Sequence, residues 1–421
     1  MNNVIGRPSA GRSTPKVKLV AVAKDEAAYL PEWIHHHLYV GFDAIDIYLN
    51  RTSDNSAQIL SLIQEQHTNV QFFYADWIDY CPQAVSAHIQ YLIYAKSFQE
   101  CRDSGEFDYV MFLDIDEFWM PKCLSFKVQH CIAENPKSDC ISFQWLNEKG
   151  SERSFTALSQ DIKGHIFPLV KSLIRLDASV ARVNLHVPYL NQGKITLCDG
   201  KAFKGMKNKP ESLHESLHEL RDVMIVHRLF RSEKEYLSLL NRGRPSDEIP
   251  LKLNRVGYNL SEDNSPVVTF TLEPESYQGY SESLRQFVTS LNLEVPLLES
   301  RKFVQKRYKK TLRSICHVPI GYFVRMMGVL RGLTRESVFK DVRLSIQTYF
   351  AVNRCTSSEE LIALAKDVER VDLRLALEVW KKALELRPNG PMIKARIAEY
   401  ESLELKPGMK RADLRTGLYR K

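Results

Sequence analysis

The sequence predicts an α/β protein, with a mostly parallel sheet covered by helices on both faces and a helical C-terminal extension. Three observations carry this. Between residues 17 and 113, short β-branched apolar runs alternate with stretches of helical apolar periodicity. The apolar runs at Val17–Ala23, Ala44–Leu49 and Tyr109–Leu113 each give way to polar residues, and in parallel sheets that edge is where ligands bind. The C-terminal third shows helical periodicity only.

The elements follow in order. Val17–Ala23 reads as the first strand and ends in Lys24, Asp25 and Glu26. Leu30, Trp33, Ile34, His37 and Leu38 mark an amphipathic helix, and Gly41 stands where a helix-ending glycine belongs. Ala44–Leu49 is the second strand, residues 50–56 a polar loop, and Ile59, Leu62 and Ile63 mark the next helix. Val70–Tyr74 is the third strand, Ala84 to about Cys101 one long helix, and Tyr109–Leu113 the fourth strand. Beyond residue 139 the pattern is mixed, with strands expected at 140–145, 169–176 and 181–187 and a polar loop over 201–219.

Composition narrows the classes. With 421 residues, 44% of them hydrophobic and 26% charged, the chain is neither disordered nor fibrous. No apolar run reaches the ~18 to 20 residues of a membrane span; the best, Val318–Leu330, is broken by Arg325. The start of the chain is polar, so no secretion signal is expected. The eight cysteines form no Cys-x-x-Cys pair and read as reduced thiols of a cytoplasmic protein. The net charge is +7, but residues 301–343 alone carry +10, leaving −3 elsewhere. No aromatic-interleaved basic stripe accompanies this, so nucleic acid is not an expected partner.

The strongest chemical signal is Asp114-Ile115-Asp116 at the end of the fourth apolar run. In an extended chain, carboxylates at i and i+2 share a side, and such a pair needs a cation to relieve its repulsion. A hard ion such as Mg²⁺ or Mn²⁺, shared with substrate phosphates, suits them. His35-His36-His37 cannot converge on one ion, because successive helical residues diverge by about 100°. His214 and His218 stand at metal-binding i, i+4 spacing but lack an evident third ligand, and read as structural or solvated. A transfer reaction also needs a base, for which Glu148, His186 and Asp177 are candidates, Glu148 first.

Lys24-Asp25-Glu26, Tyr29-Leu30-x-Glu32-Trp33, His36-His37, Gly41-Phe42-Asp43, Tyr48-x-Asn50-x-x-x-Asp54 and Asp114-x-Asp116-Glu117-Phe118 together resemble the GT-A-fold glycosyltransferases of family 2, in the branch related to family 92. The resemblance extends through Lys171, Arg175, His186, His227, Arg231 and Arg242-Gly243 and spans about residues 17–245. Departures are Lys24-Asp25 for Arg-Asn, His227-Arg228 for His-Tyr, Arg231 for Lys, and Asn147-Glu148 for Phe-Gly. The resemblance implies a GT-A (Rossmann-like) catalytic domain and a nucleotide-sugar donor, a UDP-sugar by expectation. It implies that Asp25, Glu26, Asp54 and Asp76 lie near the nucleoside, and that Asp114 and Asp116 hold Mn²⁺ or Mg²⁺, with His227 as third ligand. Lys171, Arg175 and Arg231 would meet phosphate or acceptor charge. An inverting transfer to a glycan or glycolipid acceptor in bacterial surface polysaccharide biosynthesis follows by resemblance.

The domain boundaries expected are a disordered tail over 1–16, the catalytic domain over 17–255, and a basic helical connection over 256–345. A segment over 346–405 and a basic tail over 406–421 complete the chain. Ala376, Trp380, Ala383 and Pro388 have the spacing of one tetratricopeptide unit, a candidate surface for a protein partner. Phe323, Met326, Met327 and Leu330 form one apolar helical face in the basic segment, which suggests peripheral contact with the inner membrane. Two rival readings are a nucleotidyltransferase, which would want a Gly-rich basic loop after the first strand, and a non-catalytic helical-repeat scaffold with a degenerate α/β domain. Intact Asp114 and Asp116 speak against the second.

Overall fold

A computed structural model describes residues 14–243, 249, 251–260, 265–315, 318–334, 344, 347–405 and 408–416. The expected N-terminal tail therefore lies outside the described residues, apart from its last three. The chain forms two compact units, one of residues 1–236, 244–246 and 261–306, the other of 237–243, 247–260 and 307–421.

The first unit is α/β. Its elements begin with β1 (Val17–Ala23), α1 (Leu30–Tyr39), β2 (Ala44–Leu49), α2 (Ser56–Gln66) and β3 (Val70–Tyr74). A 3-10 turn (Asp76–Tyr80) follows β3, and the helix expected from Ala84 to about Cys101 is broken into α3 (Gln83–Ser86) and α4 (Ile89–Ser104). Then come β4 (Tyr109–Phe112), β5 (Glu117–Pro121), α5 (Val128–Glu134), β6 (Cys140–Glu148) and β7 (Asp161–Arg175). Short strands follow: β8 (Val180–Arg182), β9 (Tyr189–Leu190), β10 (Ile195–Leu197), β11 (Gly205–Met206) and β12 (Lys209–Leu213), then β13 (Val223–His227). β14 (Val267–Thr271) and α7 (Pro274–Ser290) close the unit, while α6 (Glu233–Leu240) and α8 (Glu294–Ile315) each contain residues of both units.

The sheet order is β3-β2-β1-β4-β7-β6-β13-β5. β3, β2, β1 and β4 are mutually parallel, as the alternating pattern requires. β7 is antiparallel to β4 and β6, and β13 runs parallel to β6 and antiparallel to β5. Val17, Leu19, Ala21, Ile45, Ile47, Leu49, Trp33 and Ile34 form the core between the sheet and α1. On the other face, Val20, Tyr48, Phe112, Ile93 and Tyr94 pack beneath α4.

Two boundaries differ from expectation. Residues 267–290 do not belong to a helical connection: β14 pairs with β7, and α7 packs on α1 through a 2.8 Å bond between His35 Nε2 and Ser283 Oγ. Residues 201–219 contain the β11–β12 hairpin, because residues 205–213 pair with one another. There His214 accepts a bond from the Ser216 N–H, and His218 donates to the Leu213 carbonyl at 2.8 Å. Both side chains are held locally, and no helix carries them.

The second unit contains α9 (Phe323–Leu330), α10 (Ser358–Val368), α11 (Leu373–Leu386) and α12 (Pro391–Glu401). Ala376, Trp380 and Ala383 are fully buried in α11, and Trp380 Nε1 donates to Glu369 Oε1 at 2.9 Å. The small–large–small spacing serves this packing. Of the apolar face expected on α9, Phe323, Met326 and Leu330 are at most 2% exposed and Met327 is half-buried, while Val324 and Arg325 face solvent. Lipid contact through that face is therefore corrected, since the face is spent inside the unit. Residues 316–317 and 335–343 of the basic segment, and 406–407 and 417–421 of the tail, lie outside the described residues. No helix among the described residues is long and apolar enough to cross a membrane.

Candidate active site

The candidate site lies at the carboxyl ends of β1, β2, β3 and β4, where parallel strands deliver their loops to one edge. The loops are sewn to one another by carboxylates. Asp25 accepts from the Ser53 N–H at 2.7 Å and the Ser53 hydroxyl at 3.1 Å, tying the β1 loop to the β2 loop. Asp54 returns the tie, accepting from the Ala27 N–H at 2.9 Å and from Ser56 N–H and hydroxyl at 3.0 and 2.6 Å. Burial raises the Asp54 pKa, and the Ser56 bonds oppose that shift. Asp76 accepts from the Arg51 N–H at 2.7 Å, joining the β2 and β3 loops, and Arg51 Nε pairs with Asp79 at 2.7 Å. Asp25 and Arg51 hold left-handed backbones, with φ of 52° and 50°. Non-glycine residues adopt that region at a cost, and the bonds just named hold it in place.

Glu26 is 5% exposed and receives Arg231 Nη1 and Nη2 at 3.2 and 3.3 Å. The Arg231 guanidinium also stacks 3.3 Å from the centre of the Tyr29 ring. Arg231 thus locks the β1 loop to the segment after β13.

The acidic motif departs from the extended geometry expected for it. β4 ends at Phe112, and Asp114 to Glu117 form a tight turn closed by the Glu117 N–H on the Asp114 carbonyl at 3.0 Å. Trp33 of α1 enforces the turn, its Nε1 lying 3.1 Å from the Asp114 carbonyl and 2.8 Å from that of Glu117. The two aspartates meet different partners. Asp114 accepts from Gln90 at 2.7 Å and faces Lys171 Nζ at 3.9 Å. Lys171, 2% exposed, pairs more closely with the fully buried Glu117 at 3.1 Å. Burial raises the Glu117 pKa against the pull of Lys171. Lys171 is committed to these carboxylates beneath the site.

Asp116 faces His227. The register of β13 on β5 sets His227 opposite Glu117, and the Arg228 N–H donates to the Asp116 carbonyl at 2.7 Å. His227 Nε2 lies 3.6 Å from Asp116 Oδ2. Its Nδ1 lies 3.1 Å from Asn147 Oδ1, an acceptor, so Nδ1 carries the proton. Nε2 thus faces a carboxylate oxygen: a doubly protonated ring pairs with Asp116 directly, and a neutral ring offers a lone pair, so that a cation can sit between it and the carboxylate. A fixed Nδ1–H is the usual orientation of a metal-bound histidine. Among the described residues no three His, Cys, Asp or Glu side chains form a complete ligand group. Asp116 and His227 fit as protein ligands for Mn²⁺ or Mg²⁺, which often takes its remaining oxygens from phosphate and water.

The candidate bases sit differently. Glu148 accepts from Arg228 Nε at 2.8 Å, and Arg228 also holds Glu32 at 3.1 Å and the Thr156 carbonyl at 2.9 Å. His186 donates Nδ1–H to the Val170 carbonyl at 3.0 Å, and its ring lies 5.4 Å from that of Trp145, which also packs on His227 at 4.3 Å. Burial, with help from Lys171, lowers the His186 pKa to about 4. Arg175 and Asp177 are not brought to this edge: Arg175 pairs in register with Tyr109, at the start of β4, and binds Asp139 and Asp177 at 2.6 and 2.5 Å. Sequence reasoning missed Gln90, Glu117, Asn147 and Arg228 as members of the site. Asn147 ends the apolar run of β6 beside Glu148 and stands in the stretch that departs from the resemblance, which gives it no role.

Residues 19–179 match the model of glycosyltransferase family 92, so this stretch, from β1 through β7, is related to that family. No curated protein matches the chain. Among solved structures, a galactosyltransferase, LgtC, in complex with donor and acceptor sugar analogs matches at 14% identity and a TM-score of 0.20, over 38% of this chain. The match covers 58% of that structure's chain, less than two thirds of its length.

Proposed function

We propose that the chain is a glycosyltransferase that moves a sugar from a nucleoside diphosphate donor, a UDP-sugar, to a glycan or glycolipid acceptor. The observation that carries the reading is the opposed Asp116–His227 pair at the carboxyl edge of a parallel sheet, in a chain whose residues 19–179 match a glycosyltransferase family. The loops braced by Asp25, Asp54 and Asp76 shape the nucleoside side of the site, and the buried Glu26–Arg231 pair fixes their position. Asp116 and His227 would hold Mn²⁺ or Mg²⁺, and the bound ion would neutralise charge on the departing diphosphate. Asp114 and Lys171 keep the acidic turn in shape beside them.

For an inverting transfer, His186 is the better base of the two retained candidates. Its Nδ1–H is tied to the Val170 carbonyl, which orients the ring and leaves Nε2 as the nitrogen that would take a proton. Glu148 would first have to leave Arg228.

The test is donor hydrolysis with UDP-glucose, UDP-galactose, UDP-N-acetylglucosamine and GDP-mannose, each with Mn²⁺, Mg²⁺ or a chelator. The expected result is turnover of one UDP-sugar that needs the metal, and its loss by orders of magnitude in a folded Asp116→Ala variant. Full activity of that variant in chelator, or no binding of UDP by calorimetry, sinks the reading.

A further inference from the structure

Resting on the glycosyltransferase reading, we propose that Trp145 of β6 is a positioning residue for two histidines at once. Its indole holds the His227 ring in place to meet a cation and the His186 ring in place to meet the acceptor hydroxyl. The indole touches both. Its centre lies 4.3 Å from that of His227, tilted by 57°, and 5.4 Å from that of His186, edge-on at 70°. Phe167 of β7 backs it at 6.0 Å in a nearly parallel stack. Aromatic rings in contact prefer such tilted and offset arrangements.

The strands explain why one side chain reaches both rings. The ladder of β6 on β7 shifts register at this point: Gln144 faces Val170, whereas Trp145 faces Phe167, so Pro168 and Leu169 have no counterpart on β6. Pro168 has no N–H to give to a ladder, which suits an interruption there. Gln144 Nε2 secures the shift by donating to the Phe167 carbonyl at 3.2 Å. Irregularities of this kind re-aim the side chain beside them. Beyond it, Trp145 and Asn147 stand at i and i+2 and share a face of β6. β6 therefore meets His227 twice, with the indole against its ring and Asn147 Oδ1 on its Nδ1 at 3.1 Å. β7 meets His186 twice, the Val170 carbonyl taking its Nδ1–H at 3.0 Å and the Ser172 hydroxyl donating to its backbone carbonyl at 2.7 Å.

A single hydrogen bond fixes one edge of an imidazole and leaves the ring free to tilt about that bond. The shared indole blocks the tilt for both rings. Trp145 is 8% exposed, and its Nε1 has no hydrogen-bond partner among the described residues. Burying an unpaired N–H opposes folding, so what the indole contributes is its flat face, and another flat ring should serve in part.

The experiment compares the full chain with Trp145→Leu, which keeps apolar bulk without a flat ring, and Trp145→Phe, which keeps a ring without the N–H. Cooperative urea unfolding shows that each is folded, and Trp145→Met replaces Trp145→Leu if the latter is not. Mn²⁺ affinity and UDP binding without metal are measured by calorimetry, and UDP-sugar turnover at saturating Mn²⁺. Trp145→Leu should bind Mn²⁺ about tenfold or more weakly. It should also lose about tenfold or more in kcat with donor KM little changed. Trp145→Phe should recover most of both, and UDP binding without metal should be equal in all three. Wild-type Mn²⁺ affinity and kcat in folded Trp145→Leu overturn the proposal. So does a Trp145→Phe as impaired as Trp145→Leu, or a fall in metal-free UDP binding that matches the fall in Mn²⁺ affinity. If the wild type turns over no UDP-sugar, the glycosyltransferase reading fails and the part played through His186 fails with it. The loss of Mn²⁺ affinity in Trp145→Leu and its return in Trp145→Phe then still establish the hold on His227, and their absence overturns that as well.

Discussion

The run His35-His36-His37 makes the first unit acid-sensitive by an amount the structure allows to be worked out. His36 is fully buried, and its Nε2 donates to the Trp119 carbonyl at 2.9 Å. Burial lowers its pKa from 6.5 to about 3, with His35 and Lys127 adding to the shift. The folded chain thus keeps this ring neutral, whereas the unfolded chain binds a proton below about pH 6.5. Stability is present above that value and is lost as pH falls below it. Between pH 7 and pH 5 the difference integrates to about 2 kcal/mol for this one group. His35, lowered to about 4, contributes a similar loss, and His37 shifts in the same direction. Buried carboxylates such as Asp46 and Asp54, whose pKa values are raised by burial, titrate in the opposite sense, so the wild-type profile alone does not isolate the effect. His36→Gln does, because glutamine can keep a donor toward Trp119 while removing the titration. Urea unfolding followed by tryptophan fluorescence reads it out, since Trp33 and Trp119 are buried in the same core. The stability gap between wild type and His36→Gln should move by about 2 kcal/mol in the variant's favour from pH 7 to pH 5. A gap that stays constant with pH would refute the reasoning.

Three further outcomes are expected. Asn147→Leu leaves His227 Nδ1–H without its acceptor and should weaken Mn²⁺ binding about 10- to 100-fold in calorimetry; unchanged affinity would return His227 to a packing role. Arg228→Met strands two carboxylates, Glu32 and Glu148, and should cost about 3–5 kcal/mol in urea unfolding. Adding Glu32→Gln and Glu148→Gln should recover most of that loss, and no recovery would show that the ion pairs are not its source. Asp54→Ala removes bonds to Ala27 and Ser56 and should lower stability by about 1–2 kcal/mol, seen as faster hydrogen exchange at the start of α2; unaltered exchange there would disprove the bracing role.

What the sequence revealed and what it hid divide along the range of the interactions involved. β1 to β4 were legible because alternation and helical periodicity are local, and the parallel pairing follows from the crossovers. β5 was not legible, because Asp114 to Phe118 reads as a continuing strand until Trp33, some eighty residues earlier, bonds to both ends of the turn. The α9 face was visible as a period, but a period does not say whether a helix meets lipid or its own unit, and here Phe323, Met326 and Leu330 are buried. The break within the helix expected from Ala84 to about Cys101 escaped notice because Ala87-His88 carries no glycine or proline to mark the interruption.

The same division separates the site residues by the kind of evidence each can give. Asp25, Asp54 and Asp76 were read as donor contacts, yet each is already spent on backbone N–H groups that shape the neighbouring loop. Removing one of them would disorder the loop and weaken donor binding whether or not it touches the donor, so a binding loss alone does not assign it a contact. Asp116 and His227 differ, because Nε2 faces a carboxylate oxygen at 3.6 Å while Nδ1 is turned to Asn147. A cation bound between Nε2 and the carboxylate would stabilise the folded chain, so Mn²⁺ should raise the melting temperature of the wild type and leave that of Asp116→Asn unmoved. Equal shifts in both proteins would place the ion elsewhere. This measurement needs neither donor nor acceptor, and therefore tests the centre of the site independently of which sugar is transferred.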